Sequence, residues 1–223
     1  MQAGDDEEIK RRMVKIYLVR HGQTAWNAAE VFRGRADIPL DETGKKEGHL
    51  VGEAIKDVNL SAIYSSPLSR SLETAENIAK FYGLRVIHLD AIIDISYGDW
   101  EGMSRADVEE RYPDLYRLWV EEPHKVHFPR GESLEEVRSR TVAALEKLVL
   151  NHEDENIVLV AHRVPNKVIC CAVLGLDNSN FWRVQQDTAC TNLFIYTEGQ
   201  WIISYLNDTS YLKVLGKAAL ADF

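Results

Sequence analysis

Arg20 and His21 follow the apolar run Ile16 to Val19, His162 follows Ile157 to Ala161, and Arg70 follows Ala62 to Ser65 after Ser66-Pro67. Each run has strand character, and Gly22 lets the backbone leave the sheet directly after His21. In open α/β sheets ligands bind at the carboxyl ends of the strands. Guanidiniums make forked, charge-assisted bonds to phosphate, and a neutral imidazole whose second nitrogen is held by a hydrogen bond can attack phosphorus. If the strands are neighbours, Arg20, Arg70 and a helix N-terminus converge on one crevice, where they would hold phosphoryl oxygens as charge spreads in a transition state.

The surrounding blocks extend this reading. Leu18-Val19-Arg20-His21-Gly22-Gln23-Thr24 with Trp26-Asn27 resembles the opening motif of the histidine phosphatase superfamily, the phosphoglycerate mutase-like proteins. Phe32 to Leu40 with Gly44, Ser65 to Arg70 with Thr74-Ala75, Tyr97 to Gly102, Gly131-Glu132-Ser133, Val160-Ala161-His162 and Leu206 to Thr209 follow in the family's order, so the resemblance spans residues 13 to 212. It implies that His21 carries the phosphoryl group as phosphohistidine, that Arg20 and Arg70 bind phosphate, and that His162 donates a hydrogen bond to it. No metal or other cofactor is expected. Asn27 is expected on phosphate, with Gln23, Thr24, Arg33, Arg35 and Glu101 in loops around the substrate; Arg33 and Arg35 are candidates for a second anionic group.

Two positions depart from the family pattern. Its glutamate proton donor, four residues before the glycine of the Gly-Asp-Trp-Glu-Gly block, is Asp94 here; Asp99 and Glu101 are rival carboxylates. The glycine that usually follows the second histidine is Arg163, whose side chain either adds positive charge to the phosphate pocket or points outward. Val164-Pro165 after it still suits a sharp turn into a helix.

Stepping out from these residues, strands alternate with amphipathic helices, which predicts an α/β three-layer sandwich: a mostly parallel central sheet with helices on both faces and a closing antiparallel hairpin across Glu198-Gly199-Gln200. Residues 22 to 41 read as a long functional loop. Helices are expected over Glu42 to Val58, from Pro67 to Gly83, from a capping box at Ser133, and over Val164 to Gly175. Residues 90 to 130, with Glu-rich helical pieces around Val108 and Leu115 and breaks at Pro113, Pro123 and Pro129, read as an irregular insert or lid; His124 and His127 have a chelate's spacing but suit a solvated lid better.

The 223 residues fit a disordered leader over 1 to 12 and one domain over 13 to 223. A net charge of -9 argues against nucleic acid or an anionic membrane as partner. No stretch has the length of a membrane span or the form of a signal peptide, and three cysteines suggest no disulfide framework, so a cytoplasmic location is expected. The leading reading is a metal-independent phosphomonoesterase acting on a small phosphorylated metabolite; a homodimer stays open. The rivals are a 2,3-bisphosphoglycerate-dependent phosphoglycerate mutase, disfavoured by the short segment 103 to 130, and a binding domain without turnover.

Overall fold

The computed structural model describes residues 13–216, so the expected leader lies outside the described residues. Six strands, β1 (Met13–Arg20), β2 (Leu60–Ser65), β3 (Val86–His88), β4 (Asn156–Ala161), β5 (Thr191–Thr197) and β6 (Gln200–Asp208), form one sheet in the order β3-β2-β4-β1-β5-β6. The pairs β1–β4, β2–β4 and β2–β3 are parallel, while β5 and β6 run antiparallel to their neighbours. Parallel strands need covered faces, and the near-continuous apolar runs of β1 and β4 meet that demand.

Alternation along β1 divides the core. Ile16 and Leu18 face one layer, where Leu145, Leu148, Ile169 and Cys170 pack from α6 (Leu134–Asn151) and α7 (Arg163–Val173). Tyr17 and Val19 face the other, where Val51 and Ile55 of α2 (Glu42–Ile55) and Ala75 and Ile78 of α3 (Ser69–Ala79) pack. The three-layer expectation therefore holds, with the final hairpin adding the antiparallel edge.

Several boundaries differ from the sequence reading for local reasons. Residues 22 to 41 contain a one-turn helix, α1 (Ala25–Ala28), capped by Thr24 and Asn27. Pro67 does not open α3: Leu68 is the N-cap and the helix begins at Ser69, whose backbone N–H and hydroxyl both bond the Asp37 carboxylate at 2.7 Å. An acidic side chain from a distant loop thus does what a local cap would do. Arg163 itself is the first residue of α7, with His162 at the N-cap in extended conformation, so no left-handed backbone is needed where the family has glycine.

The segment from 90 to 130 holds the helical pieces expected around Val108 and Leu115. It folds into α4 (Arg105–Arg111), α5 (Pro113–Glu121) and short 3-10 turns around an aromatic core of Phe32, Tyr97, Trp100, Trp119, Phe128 and Phe181. Edge-to-face contacts with centroids 4.9 to 5.2 Å apart tie Phe128 to Tyr97, Trp100 and Trp119. His127 faces Glu136 at 3.4 Å, and among the described residues no group of three His, Cys, Asp or Glu is placed to hold a metal.

Candidate active site

The carboxyl ends of β1, β2 and β4 lie side by side, which brings Arg20, His21, Arg70 and His162 together, and all four are at most 1% exposed. His21 Nδ1 lies 2.7 Å from the carbonyl of Gly22. A carbonyl only accepts, so Nδ1 carries the proton and Nε2 presents its lone pair. That Nε2 is buried and has no hydrogen-bond partner. Burial, then the charges of Arg70, Arg20 and Arg33, hold the His21 pKa well below 6.5, so the ring is neutral. The turn that aims it is tight: a Cβ on Gly22 would sit 2.5 Å from the Gly44 carbonyl at the start of α2. Buried Glu47 of α2 fixes the next residue by accepting from Gln23 N–H at 2.7 Å.

Arg70 is the hub. Its Nε donates to His162 Nδ1 at 3.2 Å, its Nη1 and Nη2 donate to the carbonyls of Ala36 and Gly34 at 2.8 Å, and Nη2 also meets Asp94 Oδ2 at 3.2 Å. Because Nδ1 of His162 accepts, Nε2 carries the proton and donates to Ser66 Oγ at 2.7 Å. In this arrangement His162 presents its lone pair to Arg70, and acting as a donor through Nδ1 would require that nitrogen to carry a proton, with Asp94 Oδ2 3.7 Å away. The two imidazoles lie with centroids 5.2 Å apart. Arg20 donates to the Gln186 carbonyl.

Asp94 is 4% exposed, and its Oδ1 accepts from Ile95 N–H at 3.0 Å. Its rivals are engaged elsewhere: Asp99 pairs with Arg130, and Glu101 Oε1 accepts from Arg35 N–H, Tyr97 N–H and Ser96 Oγ at 3.1 to 3.3 Å. Glu101 thereby pins two loops against Gly34, whose φ of +51° and 2.3 Å clearance to that Oε1 exclude a side chain. Glu101→Gln should therefore cost about 1–2 kcal/mol, a melting temperature lower by roughly 2–8 °C, while slowing all esters alike. A loss specific to poor leaving groups would instead make Glu101 the acid.

The remaining candidates separate. Arg33 is 7% exposed, and Arg163, at 5%, turns inward and donates from Nη2 to the Tyr97 hydroxyl at 3.3 Å. Arg35 sits at the rim, paired with Glu132 at 2.9 Å. Asn27 Oδ1 accepts from Thr24 N–H and Oγ at 3.0 and 2.8 Å, and Gln23 Nε2 donates to Asp41. Those three side chains thus serve the loop's own structure. Sequence reasoning missed Glu47, Gln186 and Ser66, which orient the site: the first two sit in polar runs with no motif to single them out, whereas Ser66 stood inside a recognised block.

Both buried histidines couple stability to pH. Burial, with Arg70 next, also holds His162 well below 6.5. Unfolded, each takes up a proton near pH 6.5, so stability is intact above that value and falls as the pH drops toward the depressed folded pKa values, by about 1.4 kcal/mol per unit for each ring. Urea midpoints should drop between pH 7 and 5, and His162→Gln should flatten that slope. An unchanged midpoint would show that the fold accepts charged rings.

The histidine phosphatase superfamily (branch 1) profile matches residues 16–209, and the chain belongs to that family. It is 42% identical over 200 residues to phosphoserine phosphatase 1 of Hydrogenobacter thermophilus, covering 90% of this chain and 95% of that one. It is 28% identical to a probable phosphoglycerate mutase of Yersinia pestis, covering 91% and 96%. A phosphoserine phosphatase variant of Entamoeba histolytica, solved with phosphoserine, superposes with a TM-score of 0.81 at 27% identity, covering 89% and 99%.

Proposed function

We propose that the protein is a metal-independent phosphomonoesterase that passes the phosphoryl group of a small phosphorylated metabolite through His21 to water. The observation that carries this is the His21 Nε2 lone pair, buried, unpartnered and surrounded by guanidiniums. In the first step the Nε2–P bond forms as the ester P–O bond breaks, and Asp94 protonates the leaving oxygen. In the second, water gives its proton to Asp94 and its oxygen bonds phosphorus, the N–P bond breaks, and inorganic phosphate leaves. Arg20 and Arg70 meet the charge of the transferring group throughout. The names of relatives point to phosphoserine as a first substrate to try.

The mutase reading has support from the Yersinia relative, and because that protein is matched over 96% of its length, a short segment 103 to 130 does not separate the two activities. Phosphate release does. With a chelator present and no bisphosphoglycerate, phosphate should appear from a monoester panel faster than phosphoryl isomers form. Rapid exchange of 2- and 3-phosphoglycerate with little free phosphate would assign the mutase. The same reading treats residues 13 to 223 as one domain of a cytoplasmic protein, and the buried cysteines Cys170, Cys171 and Cys190, none of them in a disulfide, support it.

A further inference from the structure

Beside the two histidines lies a narrow pocket walled by Phe32, Arg33, Asp94, Tyr97 and Arg163. Asp94 joins it to the phosphoryl site, since the same carboxylate that lines the pocket meets Arg70. Arg33 is more than nine-tenths buried there, and neither its Nε nor its Nη1 has a hydrogen-bond partner. A buried guanidinium with two unused donors is costly unless a ligand accepts from them. Arg163 lines the same pocket, bonded to the Tyr97 hydroxyl, with its guanidinium carbon 5.9 Å from the Trp182 ring centroid. Burial, then the guanidiniums of Arg20, Arg70 and Arg163, pull the Arg33 pKa down to about 9, against the Asp94 carboxylate, which raises it. Even with Asp94 counted as an anion, a phosphoryl dianion leaves at least one of the four guanidinium charges of Arg20, Arg33, Arg70 and Arg163 unbalanced.

Resting on the proposed phosphatase activity, we infer that Arg33 and Arg163 form a subsite for a carboxylate on the leaving-group side of the substrate. The substrate class is then a phosphorylated carboxylic acid, and not a neutral phosphosugar. Arg35, the other sequence candidate for a second anion, takes no part because Glu132 occupies it at the rim. The arginine that replaces the family's usual glycine after the second histidine becomes a specificity residue, one wall of a two-guanidinium clamp.

The test uses non-hydrolysable ligands, so that it does not depend on turnover. Binding of 4-phosphonobutyrate, butylphosphonate and propane-1,3-bisphosphonate to the full-length protein would be measured by titration calorimetry. The carboxylate ligand should bind about 10- to 100-fold more tightly than butylphosphonate, the range for charge-assisted hydrogen bonds in a desolvated site. Arg163→Gly and Arg33→Gln should each reduce that ratio about tenfold, and Arg163→Lys should restore part of it; because the reading is a ratio, a general loss of folding or phosphate affinity cancels. Equal affinity for the carboxylate and butyl ligands, or a ratio unmoved by both variants, would overturn the subsite. Tighter binding of the bisphosphonate would replace the carboxylate with a second phosphate. Hydrolysis of p-nitrophenyl phosphate, measured in parallel, judges the phosphatase reading separately.

Discussion

His21→Ala is expected to abolish turnover, with kcat falling by at least about 10,000-fold, while inorganic phosphate still binds within about tenfold of its normal affinity. The two readouts separate because the roles do. In the proposed reaction His21 supplies the bond-forming electron pair, and the second histidine does not stand in for it: the lone pair of His162 is engaged by Arg70, and its Nε2 proton by Ser66. Phosphate binding rests on guanidiniums anchored independently of His21, Arg20 on the Gln186 carbonyl and Arg70 on the carbonyls of Ala36 and Gly34. Loss of an interaction made only in the transition state lowers kcat and kcat/KM together and leaves ligand binding alone. Steady-state kinetics on a phosphomonoester and calorimetry with phosphate check both halves. Turnover within tenfold of the wild type would remove His21 from the chemistry.

Asp94→Asn should produce the second largest effect, and its signature is selectivity. An alkoxide is a poor leaving group, and protonating the bridging oxygen contributes roughly 100- to 10,000-fold. A nitrophenolate leaves with little help. The variant should therefore slow alkyl monoesters by about 100-fold or more and p-nitrophenyl phosphate by less than about tenfold. Asparagine keeps the shape, and its one carbonyl oxygen can accept from Ile95 N–H or from Arg70, where Asp94 uses a different oxygen for each, so the Arg70 hub is disturbed less than by removing the side chain. Asp99→Asn, a change at a carboxylate held by Arg130, should show no such leaving-group dependence. If Asp99→Asn shows it and Asp94→Asn does not, the acid has been misassigned; if neither does, the proton comes from another group.

The sheet and the four residues at its carboxyl edge were legible because they rest on local pattern: apolar runs of strand length, alternation along β1, and turn residues immediately after Arg20-His21. Where sequence reading failed, the cause was non-local. Asp37 caps α3 from 32 residues away, so the chemistry of Ser66-Pro67 alone placed the helix start too early. Glu101 could be read from the sequence as pocket or as loop structure, because its partners, the backbone N–H groups of residues 35 and 97, are set by how two loops meet. Arg163 was undecidable from sequence, since its direction depends on Tyr97 and Trp182, both distant in the chain. In the segment 90 to 130 the short helical pieces around Val108 and Leu115 were legible, while the aromatic packing that orders them joins residues up to 149 positions apart, from Phe32 to Phe181.

The most direct test of the account is to trap the intermediate. Native protein turning over a phosphorus-32-labelled monoester would be quenched in denaturant at alkaline pH, where phosphohistidine survives, then digested and mapped by mass spectrometry. A single labelled peptide containing His21, modified at the ring, is expected, with no label in the His21→Ala variant. Label on His162, or full hydrolytic activity with no labelled histidine at any quench time, would contradict it.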